Sequence, residues 1–461
     1  MLRLSGKELC SVLLEPDTPL KVVRAQASAA LGRLCDLIAG NSKLTGDETA
    51  EALSLQDGDS LVATPRRKVQ LVAGVSAMAA LKGDGSVLTW GTAGLGGDCT
   101  TVKAQLAGGV EQVVAGTSGF AAVKGDGSML TWGYRYFGDK SHLARDVEQV
   151  VARGSDIAAV KGDGSVLTWG YADYYDAVST SVKAQLTGGV KQVVAGDFAM
   201  AAVKRDGSAL TWGCVGLGGD CDTVRSQLTG GVKQVVARGS SMAAVKGDGS
   251  VLTWGHADCG GDCFSIKTQL EGGVEQVIAS RRAMAALKRD GSVLTWGDAE
   301  YGGDCTSIKT QLEGGVEQVV AGEYAMAAVK GDGSVLTWGD ADLGGDYASI
   351  TAQLTGGIEQ VIAGGRAMAA VKRDGSVLTW GHADCGGDCA SIKTQLEGGV
   401  EQVVAGGHAM AALKRDGSVL TWGNANCGGD CTSVKAQLAD GIEQIVAPAR
   451  HRIRGKRPLS L

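Results

Sequence analysis

A Trp-Gly dipeptide returns nine times along this chain, at Trp90, Trp132, Trp169, Trp212, Trp254, Trp296, Trp338, Trp380 and Trp422. The spacings are 42, 37 and 43 residues, then 42 five times over. A fixed period of this size means that one supersecondary unit is repeated, because an isolated unit of some forty residues cannot bury its own apolar faces and must stack on its neighbours. One copy, starting at Val316, reads VEQVVAG-EY-AMAAVK-GDGS-VLTWG-DADLGGDYASITAQLTGG.

Each piece of the unit has a physical reading. VEQVVA is short, rich in β-branched Val and followed by Gly, so it reads as a strand. AMAAVK and VLTWG are two more, joined by Lys-(Gly/Arg)-Asp-Gly-Ser, whose Asp-Gly tolerates positive φ and signals a tight hairpin. In VLTWG the Leu and Trp share one face, and the Ala run opposite leaves room for the indole. Each buried Trp removes roughly 150–250 Å² from water, about 4–6 kcal/mol gross. Ser-Ile-Lys-Thr-Gln-Leu is expected as a fourth short strand. The chain holds 72 Gly and only five Pro, and all five Pro lie outside 66–447. That balance fits many tight turns between laddered strands. The expected fold is therefore mainly β: a propeller of about nine short blades over 66–447. An open spiral array is the alternative. Ile442–Ala447 is a tenth copy of the first strand and is positioned to complete the first or last blade.

With AMAAVKGDGSVLTWG and VEQVVAG in view, the repeat resembles the regulator-of-chromosome-condensation family, whose units share A-L-x-x-D-G-x-V-x-x-W-G and V-x-x-V-A-A-G. Its short period and simple loops look still more like the bacterial β-lactamase-inhibitor propeller of that superfamily. Two departures stand out. Those propellers usually have seven blades, and Ala104 occupies the place of a common loop Pro. The resemblance implies protein partners on a propeller rim. Some relatives act as exchange factors for small GTPases, and the inhibitor propellers plug an enzyme.

Residues 1–65 form a separate segment. Two apolar stretches, 2–6 and 9–15, read as a hairpin. Thr18 and Pro19 suit the N-cap and first position of a helix that ends at Gly32. A strand, a loop with a short helix and a closing strand follow. The β-β-α-β-β order resembles the ubiquitin-like β-grasp family, an α+β fold, and DLIAGNSKLTGDETAEALSLQDGDSLVAT looks like that family's second half. Here the closing strand runs on through Pro65-Arg66-Arg67 rather than ending in a free Gly-Gly. The resemblance implies a fused recruiting module, and with the propeller it suggests an adaptor in the ubiquitin pathway. Residues 448–461 are a basic tail bearing Arg450, Arg452, Arg454, Lys456 and Arg457.

Framework positions scarcely change between copies, so specificity is expected in the loops. The loop after Val-Ala-Gly carries Phe198, Arg281, Arg282, Tyr324, Arg366 and His408, residue types that anchor interfaces. The loop after Trp-Gly is irregular in units two and three, with Tyr134, Arg135, Tyr136, Phe137, Tyr171, Tyr174 and Tyr175. Five of the eight Tyr thus fall within 42 residues. Drift at exposed loop tips and repacking of a degenerate blade are the competing explanations.

Chemistry beyond binding has little support. His256, Cys259 and Cys263, and likewise His382, Cys385 and Cys389, have spacings that soft-ligand metal sites use. Other copies place Leu95, Leu217, Tyr301 or Leu343 at the first Cys and Tyr347 at the second, which points to apolar packing. Asp340, Asp342 and Asp346 hint at a calcium loop that other copies do not keep. No His is framed with a nucleophile and an acid, and no phosphate loop or dinucleotide fingerprint occurs. A net charge of −6 gives no footprint for nucleic acid. The twelve Cys without a secretion signal suggest reduced thiols. The expectation is a monomeric, non-enzymatic scaffold of the cytoplasm or nucleus, with no cofactor and no membrane span. A GTPase exchange factor and an enzyme inhibitor are the alternatives.

Overall fold

The computed structural model describes residues 2–4, 7–10, 35–39, 42–43, 61–65, 70–134, 137, 145–154, 156–170, 180–346 and 348–439. The chain is mainly β. Nine three-stranded antiparallel sheets follow one another along 70–423, one for each Trp-Gly unit. In unit seven the strands are Val316–Ala321, Ala325–Lys330 and Val335–Gly339. The second strand lies in the middle, with Ala321 and Trp338 both paired to Met326. The first strand carries a bulge. Val316 faces Lys330 and Gln318 faces Val329, so Glu317 is the extra residue and points to solvent.

The middle strands explain how the sheets stack. Ala325, Met326, Ala327, Ala328 and Val329 are all buried, on both faces of the sheet. A strand buried on both faces must be covered by a neighbour on each, and the Ala side chains let those neighbours approach closely. Nine hydrophobic layers result, each shared by two consecutive units. One holds Ala283, Ala285 and Leu287 of unit six against Met326, Ala328 and Trp338 of unit seven. The series returns on itself: Val404, Ala411 and Leu413 of unit nine pack with Leu71, Met78 and Trp90 of unit one. The first strand of each unit touches that of the next, and the ninth touches the first. Each sheet itself stays open, with no ladder passing from one sheet to another.

A second device ties the units together. The indole nitrogen of Trp338 donates to the carbonyl of Gly302 in the preceding unit at 3.0 Å. Trp132, Trp254, Trp296, Trp380 and Trp422 repeat this bond, and Trp90 makes it to Gly428 of unit nine at 3.1 Å. In these units the acceptor is Gly, and the backbone there suits it. Gly302 has φ +99° and a Cβ there would sit 3.1 Å from Cγ of Met326 in the next unit.

One expectation is corrected. The segment expected as a fourth strand is a helix: Phe264–Leu270, Thr306–Leu312 and Ala390–Leu396 are 3₁₀ turns. Asp304 starts one of them by accepting from the Thr306 amide at 2.8 Å. Cys305, Ile308 and Leu312, at i, i+3 and i+7, then all face one core layer, a helical spacing. The first sheet also takes all three strands from its own unit, Gln70–Ala73, Ala77–Leu81 and Val87–Gly91. The tenth copy of the first strand at 442–447 lies outside the described residues, as does the tail.

In the N-terminal segment the described strands are Leu2–Leu4, Lys7–Cys10, Cys35–Ala39, Ser42–Lys43 and Leu61–Pro65, in one five-stranded sheet. Leu2–Leu4 pairs antiparallel with Lys7–Cys10 and parallel with Leu61–Pro65, which pairs antiparallel with Cys35–Ala39. The expected helix after Pro19 lies outside the described residues. No helix among the described residues is long and apolar enough to cross a membrane.

Candidate binding face

Antiparallel order puts both variable loops on the same side of each unit. The loop after Val-Ala-Gly leaves the first strand where the third strand ends, and the two are bonded there. Asp298 donates its amide to the Arg282 carbonyl at 2.9 Å, and Asp340 does so to Tyr324 at 3.0 Å. The Asp-Gly-Ser hairpins occupy the opposite side. Successive loops on the variable side are also bonded to each other. Arg281 donates its amide to Glu323, Glu323 to Gly365, Gly365 to Gly406 and Gly407 to Gly74, at 3.0–3.3 Å. The side chains at these positions therefore project from a fixed backbone circle.

On that circle, units six to eight assemble an alternating stack. The Arg282 guanidinium lies 5.0 Å from the Tyr301 ring centre. Tyr301 and Tyr324 are 5.1 Å apart with planes tilted by 52°. The Arg366 guanidinium lies over the Tyr324 ring at 5.8 Å from its centre. Arg282 is steadied by Asp298 at 3.1 Å. Arg281 donates to the Tyr324 hydroxyl at 3.1 Å and faces Asp197 at 3.7 Å. Asp197 in turn takes a bond from Arg153 at 2.9 Å. Arg238 reaches from unit five to the Ala321 carbonyl of unit seven, at 3.2 Å. Burial works against the charge of Arg281, and the Tyr324 hydroxyl with the Asp197 and Glu323 carboxylates more than offset it, leaving the guanidinium pKa raised. A depression of about 350 Å³ opens beside the stack, lined by Phe198, Ser240, Cys259, Arg281, Tyr301 and Tyr324 together with Arg282.

The expected loop residues Phe198, Arg281, Arg282, Tyr324, Arg366 and His408 thus all sit on one face, and Phe198 exposes a large apolar surface there. Tyr134 is exposed as well. Phe137 is a correction. Its ring is fully buried in the layer between units two and three, beside Met129 and Trp169. It fills the space over Gly116 and Gly119, where an added Cβ would meet its ring at 2.6 and 3.0 Å, and its carbonyl accepts from the Trp169 indole at 3.4 Å. It serves as a packing residue in a shortened unit. Arg135, Tyr136, Tyr171, Tyr174 and Tyr175 lie outside the described residues.

The Cys and His residues find packing roles. Cys259 and Cys385 are buried beneath the next unit's loop, while Cys263 and Cys389 border the core layers. Cys385 Sγ lies 3.5 Å from His408 Nδ1. Burial pushes the Cys385 thiol up despite the pull of Arg366, and burial with Arg366 holds the His408 imidazole below its ordinary value. Both shifts disfavour the thiolate–imidazolium pair that an activated cysteine needs. His256 is exposed, and Asp340 accepts from the amides of Asp342 and Leu343 as a helix cap. The ten Cys of the repeats, from Cys99 to Cys431, are free thiols.

Sequence reasoning missed Tyr301, Asp298 and the two crossing arginines, Arg153 and Arg238. Tyr301 reads as one more substitute for Cys, and only its loop's return under Tyr324 reveals the stack. The arginines had a signal: they replace the Gly of Val-Ala-Gly in two units.

No family model matches this chain, and no curated protein matches it. Solved structures do. Prp20p of Saccharomyces cerevisiae, the yeast RCC1, is similar at 14% identity and a TM-score of 0.35, over 78% of this chain and 83% of that one. Human WBSCR16 is similar at 15% identity and a TM-score of 0.36, over 77% and 89%. The ectodomain of the Physcomitrella patens receptor kinase CR4 is similar at 16% identity and a TM-score of 0.37, over 59% and 72%.

Proposed function

We propose that this chain is a non-enzymatic scaffold that holds a protein partner on the face built by its variable loops. The observation that carries the reading is the Arg282–Tyr301–Tyr324–Arg366 stack beside the Phe198 depression. Large, rigid, partly exposed Tyr and Arg side chains on a bonded backbone lose little entropy on association, which is why such residues dominate interface energetics. A conserved framework with two side chains varied per unit is also how repeat proteins set specificity.

Within this reading the N-terminal sheet is a second recruiting module of ubiquitin-like type, supported by the order of its five strands, and the whole acts as an adaptor in the ubiquitin pathway. Exchange on a small GTPase and inhibition of an enzyme remain the alternative uses of the same face. The test is capture of partners from cell extract by three proteins. These are the intact chain, Tyr301→Ala/Tyr324→Ala on the variable face, and Arg373→Ala/Arg415→Ala on the hairpin face. The expected result is loss of the specific partner with the Tyr pair alone. Equal capture by all three proteins would sink the reading. Stimulated GDP release from a panel of GTPases would transfer it to the exchange-factor alternative.

A further inference from the structure

The first-strand ends and the loops that follow them carry five guanidiniums, Arg153, Arg238, Arg281, Arg282 and Arg366, against three carboxylates, Asp156, which pairs in register with Arg153, Asp197 and Glu323. The side chains are contiguous. Arg153 meets Asp197, Asp197 meets Arg281, Arg281 meets Tyr324, and Arg366 stacks on that same ring. Arg366 has no carboxylate within ion-pair distance among the described residues, and burial with Arg366 itself holds the imidazole of its other near neighbour, His408, below its ordinary pKa. The surroundings have the opposite sign. The loops after Trp-Gly hold Asp258, Glu300, Asp342 and Asp384, all exposed, and Asp298, which takes one terminal nitrogen of the Arg282 guanidinium. The chain as a whole carries −6. A basic centre is thus set inside an acidic border.

We infer that the partner presents a short acidic peptide segment to this face, its carboxylates taken by Arg282 and Arg366 at the two ends of the stack. The inference rests on the scaffold reading and names its partner's chemistry. Stacking on Tyr301 and Tyr324 fixes each guanidinium plane, and a fixed plane offers a carboxylate two parallel N–H donors. An extended polyanion such as a nucleic-acid strand would have to cross the acidic border, which repels it. A short acidic segment entering at the centre meets only the basic side chains.

The test uses the whole chain and a fluorescently labelled peptide of Asp and Glu, with a Lys peptide and a labelled oligothymidylate as comparators, read by anisotropy. The acidic peptide is expected to bind and to be weakened by added salt. Arg282→Ala/Arg366→Ala should weaken it roughly tenfold or more, and Arg373→Ala/Arg415→Ala on the hairpin face should leave it unchanged. Arg282→Lys/Arg366→Lys keeps the charge and loses the planar fork, so it should fall between, which keeps the test decisive if the Ala pair folds poorly. The proposal is overturned by an acidic peptide that binds no better than the Lys peptide. It is also overturned by equal loss from the hairpin-face variant, or by oligothymidylate binding as well as the peptide. If the peptide fails while Tyr301→Ala/Tyr324→Ala still abolishes partner capture, the acidic class is wrong and the scaffold stands.

Discussion

Trp338 is held twice, by burial of its indole between units and by its bond to the Gly302 carbonyl at 3.0 Å. Trp338→Phe keeps most of the apolar area and strands a buried carbonyl, so we expect a loss of about 1–3 kcal/mol in urea unfolding. Gly302→Ala should also destabilise, because φ +99° is strained for any side chain and Met326 leaves no space. At this scale the sequence was half legible. The Trp-Gly and Asp-Gly pairs announced their roles because backbone geometry demands those residues. Phe137 and Tyr301 did not, because an aromatic in a loop has the same letter whether it fills a gap or faces water. Only the glycines beneath Phe137 and the returning loop beneath Tyr301 distinguish the two.

The hairpin is the element with a built-in pH response. In the turn of unit seven the Ser334 hydroxyl and amide hold the Asp332 carboxyl below its ordinary value. The turn Asp residues of the other units are lowered too, including Asp126, Asp206 and Asp290 through Ser128, Ser208 and Ser292. A carboxyl whose folded pKa is depressed stabilises the fold above the unfolded value, near 3.9, and that contribution disappears as pH falls through the folded value. A chain with Ser→Ala in several of these turns should melt below the wild type at neutral pH. The gap should close at the acid end, and a gap of constant size across the titration would refute the assignment. Strand and hairpin were readable from period and turn chemistry. The 3₁₀ segments were not, since Ser-Ile-Lys-Thr-Gln-Leu shows two apolar residues that suit a period of two or of four, and the deciding contact is with a neighbouring unit.

Across the described residues an apolar layer joins each unit to the next, and the Trp-to-Gly bond recurs at seven of these junctions, including the one between unit nine and unit one. Trp90→Phe should therefore cost as much as Trp338→Phe in equilibrium unfolding, since its indole makes the corresponding bond to Gly428. An open spiral would leave Trp90 at a free end and make its substitution nearly neutral. The count of nine came from the period alone. The return of the last unit to the first did not, because no residue in either unit marks it. The consequence is topological. Where the last unit rests on the first as every other unit rests on its neighbour, the point at which the chain enters the circle carries no special structural duty. A circular permutant with its break placed at the exposed Val215, ahead of the buried Cys221, Val224 and Leu228 in the connection between units four and five, and Ala439 joined to Gln70 through a short linker, should reach the same circle, because adjacency in space rather than order along the chain defines each unit's place.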